Sequence, residues 1–277
     1  MEKRRTTYLA AIVIILIIVG ALVYTNTVSP QAKNLISFDN QAVSPGTIAA
    51  LQSIAHNSTL ANMIGIGAAS GYPIATGNTK VLLIGGKPAV IYVGADFCPY
   101  CAATRWGLII ALMRFGNFSL LHYMTSSATD VYPSTPTFTF FNSSYSSSII
   151  TFEPVETETN TYHALQTPNR IQNLTFSAYD EYFSKLPSQE RGGIPFIDFG
   201  NISVQDGAEV DPQLLDGNTW QQIIAKLSDP STSTAQEEIG SANIFTAQIC
   251  GITNNTPASV CNQPYIKNVE RAVSSTV

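Results

Sequence analysis

Apolar residues along this chain fall into three kinds of run. The first is unbroken: the seventeen residues from Tyr8 to Tyr24 carry no charge. At ~1.5 Å per residue they reach ~25 Å as a helix, the lower limit for a membrane span. The second kind has helical spacing. Ile48, Leu51, Ile54 and Ala55 recur in this way between Pro45 and Ala61, with Ser44 placed to cap. Trp106, Leu108, Ile109, Leu112 and Met113 do the same in a helix expected from Cys98 to about Phe115. Further helices are predicted over Phe176 to Leu186, up to Leu227 with Asp216 or Asn218 as cap, from Pro230 to Cys250, and from Pro264 to Val273. The third kind is short or alternating and predicts strands at Lys80–Ile84, Ala89–Gly94, Ser119–Met124, Thr137–Phe140, Ile149–Phe152, Ile194–Gly200 and Ile202–Val204. Gly85-Gly86 and Gly200-Asn201 mark turns between them, and the stretch from Gly65 to Gly77 reads as loop. Strands mixed with helices in this order point to an α/β class.

Charge changes the reading of the first run. Met1-Glu2-Lys3-Arg4-Arg5 is basic, which holds that end in the cytoplasm and sends the rest of the chain outside. The expected organisation is a basic N-terminus over 1–7, a transmembrane anchor over 8–24, a linker over 25–44 and an extracytoplasmic domain over 45–277. A cleaved signal peptide is the rival reading, but no clear small-x-small site follows the run. Of the 277 residues 45% are apolar and only 12% charged, with a net charge of −5. No basic stripe follows the N-terminus, so nucleic acid is not an expected partner. Six Asn-x-Ser/Thr sequons, at Asn57, Asn117, Asn142, Asn173, Asn201 and Asn254, are possible glycosylation sites and agree with an outside location.

The chemistry concentrates in Cys98-Pro99-Tyr100-Cys101, directly after the apolar run from Pro88 to Val93. That placement puts the motif at the junction of a buried strand and a helix. Cys98 then lies at a helix N-terminus, whose dipole favours a thiolate, and is expected as the exposed nucleophile. Cys101, one turn on, resolves the mixed disulfide from the inner side. Pro99 brings no N–H donor, and Tyr100 with it tunes the pair through backbone geometry. The bland reading is a static disulfide. Cys250 and Cys261 bracket an Asn/Pro/Gly loop and are read as a structural disulfide; an electron relay to the first pair is the sharper alternative. Their spacing does not suit a four-Cys zinc site, and no metal or cofactor is expected. His56, His122 and His163 have no ligand-like spacing to the cysteines, and the aromatic cluster of Phe138, Phe140, Phe141, Tyr145 and Phe152 is read as core. Arg105 and Trp106 follow the motif on its helix, with Trp106 read as packing.

Strand, Cys-x-x-Cys, helix and a later Gly193-Ile194-Pro195-Phe196 strand together resemble thioredoxin-like proteins over about residues 80–230. The resemblance implies a central sheet flanked by helices. It also implies a cis Ile194–Pro195 bond beside the cysteines, and a substrate groove lined by Pro99, Tyr100, Ile194 and Pro195. A peptide would pair there with the Ile194 backbone. The 93 residues between Cys101 and Pro195 imply an insertion at about 125–190, as in DsbA-like extracytoplasmic oxidoreductases, followed by a helical extension at about 230–277. Pro99-Tyr100 is the dipeptide typical of glutaredoxins. The C-terminal stretch from Ala242 to Cys261 resembles the tail of a membrane-anchored archaeal thioredoxin-like family of undetermined function. One departure is plain: Tyr92 stands where thioredoxins carry a strand acid that helps move protons, and Asp96 is the nearest acid in sequence. The expected function is a membrane-anchored thiol–disulfide oxidoreductase acting on thiols or disulfides of exported proteins, with a membrane redox partner. The alternatives are a non-catalytic surface or adaptor protein, and a Cu(I) chaperone, for which four Met and three His are few.

Overall fold

The computed structural model of the chain describes residues 34–183 and 193–274. The expected anchor at 8–24 lies outside the described residues, as do the basic N-terminus and residues 25–33 of the expected linker. Residues 34–44 instead pack on the domain, with Leu35 and Val43 buried and Val43 N–H donating to Leu121 O at 2.8 Å. Among the described residues no helix is long and apolar enough to cross a membrane.

A central mixed sheet is flanked by helices on both faces. Its middle strand is β3 (Lys87–Gly94), preceded by the two short strands β1 (Ile74–Ala75) and β2 (Leu83–Ile84). The strand β6 (Thr151–Glu156) pairs with β3 in parallel, from Ala89 opposite Thr151 to Gly94 opposite Glu156. On the other side β7 (Phe196–Phe199) runs antiparallel, with Val93 opposite Phe196. Next come β8 (Ser203–Asp206) and then β1, each antiparallel to its neighbour. β2 returns into β3 through Gly85 and Gly86, both at positive φ.

Residues 90–93 are all buried because both faces of β3 are covered. Val90 and Tyr92 join the main core with Ile197 and Phe199. Ile91 and Val93 face the other way, towards Val155, Phe196, Val204 and Tyr179 of α4 (Arg170–Phe183). On the main-core side lie α3 (Pro99–Met113) and α6 (Ser233–Ile252). These two helices approach closely at Gly107, where a Cβ would come within 2.8 Å of Ser241 Oγ. All of α3 except Tyr100 is buried, since α1 (Pro45–Ala55), α6 and a hairpin of β4 (Asn117–Thr125) and β5 (Pro136–Ser146) surround it. Trp106 Nε1 donates to Pro136 O at 3.0 Å, and Thr137 Oγ1 donates to Ala102 O at 2.8 Å, locking hairpin to helix. Phe138 and Phe140 are core residues, while Phe141, Tyr145 and Phe152 are only partly covered.

Several elements differ from the expectation. The helix read over Pro45 to Ala61 is two helices, α1 and α2 (Ser58–Ile64), because Asn57 turns out and caps the second through Leu60 N. Ser44 caps the first as expected, accepting from Thr47 N. The helix ending at Leu227 is α5 (Trp220–Leu227). Its cap is Thr219, not Asp216 or Asn218, because Thr219 and Gln222 form a reciprocal capping box. The stretch 125–190 is divided: the β4–β5 hairpin stands apart, whereas β6 is the parallel neighbour of the central strand. Two helices close the chain, α7 (Ala258–Cys261) and α8 (Pro264–Ser274). The segment from about 230 onward supplies α6, the main packing partner of α3.

Candidate functional site

β3 ends at Gly94, and the loop Ala95–Phe97 delivers Cys98 as the N-cap of α3. Its extended backbone lets Sγ accept the Cys101 N–H at 3.1 Å, one of the helix's otherwise orphan donors. Pro99 occupies the first helical position, where no N–H is needed. The expectation of an exposed nucleophile is corrected here: Cys98 is 4% exposed and Cys101 fully buried. The N-cap position itself turns the Cys98 side chain back over the first helical turn. Both are free thiols.

Hydrogen bonding from the Cys101 thiol pulls Cys98 below the ordinary thiol value, against burial, and the Cys101 N–H and the Arg105 charge act in the same direction. Burial pushes Cys101 well up, and its hydrogen bond to Cys98 adds to this. The pKa values of the two thiols are thus pushed apart, Cys98 down and Cys101 up.

The register of β3 with β7 brings Pro195 beside the motif. The Ile194–Pro195 bond is cis, and Ile194 O lies 3.9 Å from Cys98 Sγ. Pro195 O accepts from Gly207 N at 2.9 Å, which ties this loop to the end of β8. Pro195 and Pro99 are buried, Ile194 is half-buried, and Tyr100 is 43% exposed, edge-on to Tyr132. The residues expected around the thiols are therefore together, with Tyr100 the most open.

Behind the thiols lies a charge cluster that sequence reasoning left unassigned. Arg105, one turn beyond Cys101, is fully buried. Its Nε and Nη2 donate to Glu156 Oε1 and Oε2 at 2.9 and 2.6 Å, and Nη2 also donates to Ala95 O at 2.8 Å. Asp96 lies 3.6 Å away. The bidentate contact has ion-pair geometry, so we treat Glu156 as ionised beside Arg105, although burial pushes its carboxyl up to about 7. Burial also raises Asp96, against the pull of Arg105. Tyr92 fills the strand position where the resemblance implies an acid. It lies under the guanidinium, 5.8 Å from ring centroid to carbon. Its hydroxyl has no hydrogen-bond partner among the described residues, and burial holds it well above the ordinary phenol value. Tyr92 covers Gly94 two residues on, leaving no room there for a Cβ. One signal was available in the sequence: Arg105 is the lone charge in an otherwise uncharged helix.

Cys250 and Cys261 are bonded, with Cα atoms 5.5 Å apart. Two residues from Cys250, Ile252 packs on Gly200, which donates to Ala89 O at the start of β3. Cys98 lies beyond the other end of that strand. The two pairs thus lie towards opposite ends of β3, about five strand residues of ~3.3 Å each. Of the sequon residues, Asn57, Asn117, Asn142, Asn173 and Asn254 are exposed. Asn201 is half-buried, its side chain bonded to the Tyr179 hydroxyl and its N–H to Asp198, which leaves it poorly placed to carry a glycan.

A family model described as a domain of unknown function (DUF929) matches residues 72–251, more than half of the chain, which therefore belongs to that family. No curated protein and no solved structure matches it.

Proposed function

We propose that this member of the DUF929 family is a membrane-anchored, extracytoplasmic thiol–disulfide oxidoreductase with a thioredoxin-like fold, acting on thiols or disulfides of exported proteins. The observation that carries the reading is the position of Cys98 Sγ, between the Cys101 N–H at 3.1 Å and the carbonyl of cis-linked Ile194 at 3.9 Å. The order β6-β3-β7-β8, with the motif after β3 and the cis-proline before β7, supports the fold assignment.

In the reductive direction, Cys98 thiolate attacks one sulfur of a substrate disulfide. A Cys98–substrate bond forms, and the other substrate sulfur leaves as thiolate. Cys101 then gives its proton to the departed substrate thiolate and attacks Cys98 Sγ, breaking the mixed disulfide and releasing the second substrate sulfur as thiolate. The substrate gains two electrons and the protein ends as the Cys98–Cys101 disulfide. The reverse sequence oxidises a dithiol, and the relative stability of the two states of the pair sets the direction. Ile194 offers its backbone to an extended substrate strand.

The test is alkylation of the reduced protein in graded glutathione buffers, read by mass on the Cys98 and Cys101 peptides. The expected result is a reversible two-electron transition, with Cys98 modified first. A midpoint towards ~−120 mV marks a disulfide donor, and one near ~−270 mV a reductant. A pair that never changes state sinks the proposal. The burial of Cys98 would then favour a surface or adaptor protein that keeps the fold without the reaction.

A further inference from the structure

We propose that Arg105 is a positioning residue for the thiol pair, acting on Cys98 through the Ala95 carbonyl with its charge metered by Glu156; this rests on the oxidoreductase reading above. Ala95 O accepts from both Arg105 Nη2, at 2.8 Å, and the Cys98 backbone N–H, at 3.3 Å. One carbonyl thus links the guanidinium to the residue that must hold the N-cap geometry. Arg105 is anchored on the same helix, four residues after Cys101, so loop and helix are clamped on either side of the reactive sulfur.

The clamp carries a full charge in a site closed to water. The groups around it are Cys98 and Cys101 from α3, Tyr92 from β3, Asp96 from the loop and Glu156 from β6. There is one cation among them, and burial opposes each anion that forms. Glu156 takes two of the three guanidinium nitrogens, while Nη1 has no hydrogen-bond partner among the described residues. A Cys98 thiolate is therefore a further anion supported by a cation that Glu156 already balances. The helix supplies the cation here, whereas the strand position holds the neutral Tyr92.

Opposite effects follow for the two partners. Arg105→Met removes the one cation and leaves Glu156 buried and unpaired, to be neutralised by a proton, so the thiolate loses its positive neighbour and is disfavoured. Glu156→Gln keeps the shape and one acceptor oxygen for Arg105 Nε, loses the second guanidinium contact because an amide nitrogen only donates, and releases the guanidinium charge, so the thiolate is favoured. A merely structural clamp would loosen in both variants and move both the same way.

The experiment is the pH profile of iodoacetamide alkylation at Cys98 in the reduced full-length protein. Arg105→Met is expected to slow the reaction at pH 6 about tenfold, the equivalent of one pH unit in the profile. Glu156→Gln is expected to speed it severalfold, and Arg105→Lys to recover part of the loss. Shifts in the same direction, or no shift in Arg105→Met with a reactive wild type, overturn the assignment. If Arg105→Met does not fold by circular dichroism, Glu156→Gln decides alone, and slower alkylation there overturns it. A wild-type Cys98 that reacts at no pH instead sinks the oxidoreductase reading, and this inference with it.

Discussion

Glu238 illustrates how much a single side chain can oppose the fold that contains it. It lies on α6 facing the Cys-x-x-Cys helix, fully buried, and among the described residues neither carboxyl oxygen makes a hydrogen bond of good geometry, with only the Gly107 backbone N–H near enough to oppose the effect of burial. Burial raises its carboxyl well above the usual range, and the neighbouring Glu209 adds to this. Glu209 is better served, accepting from Ser241 Oγ at 2.6 Å and Thr104 Oγ1 at 3.4 Å. An uncompensated buried acid is costly in its charged form, so the side chain keeps its proton. Glu238→Gln is neutral at every pH and nearly isosteric. We expect it to raise the melting temperature at pH 8 by about 2–4 °C, the equivalent of ~1 kcal/mol, with little change at pH 4. Thermal melts at the two pH values check this, and a loss at pH 8 would show that the carboxylate is needed. Nothing in the sequence sets Glu238 apart from Glu237 beside it. Only the packing shows that one is buried and the other partly exposed.

Among the elements, local chemistry predicted some ends well and others poorly. Ser44 and the Gly85-Gly86 turn depend on neighbours a few residues away, so sequence pattern reaches them. Thr219 competed with Asp216 and Asn218, and Gln222 three residues on decided the cap. The C-terminal elements depend on a covalent closure that spacing alone made visible. Cys250 at the end of α6 and Cys261 in α7 close a loop with a sequence separation of 11. On the chain-entropy estimate a loop of this size stabilises by about 3 kcal/mol. Cys250→Ser with Cys261→Ser is expected to lose about that much in urea denaturation while leaving the Cys98 alkylation profile unchanged. A changed profile would mean that the two cysteine pairs communicate.

At the scale of the whole molecule, buried carboxyls set the response to pH. Burial pushes Asp39, Asp198 and Glu209 each up to about 7, although hydrogen bonds from Thr125, Asn201 and Ser241 oppose it. Unfolded, these groups release their protons near 4. Below that value both states are protonated and the full stability is present. Between about 4 and 7 the folded state binds more protons, so stability falls as pH rises. Denaturant midpoints measured from pH 4 to pH 8 are expected to decline, and a midpoint rising over that range would contradict the burial of these groups. The sequence by itself determined the α/β alternation, the motif at a strand–helix junction and the Cys250–Cys261 disulfide, because each rests on periodicity or short spacing. It also marked the run from Tyr8 to Tyr24 as a candidate anchor. Only the tertiary structure decided that Cys98 is nearly covered, that β6 rather than the hairpin flanks β3, and that Arg105 meets Glu156, fifty-one residues away, behind the thiols. The physical reason is common to all three: burial and pairing of charge depend on which surfaces meet, and residues far apart in the chain supply those surfaces.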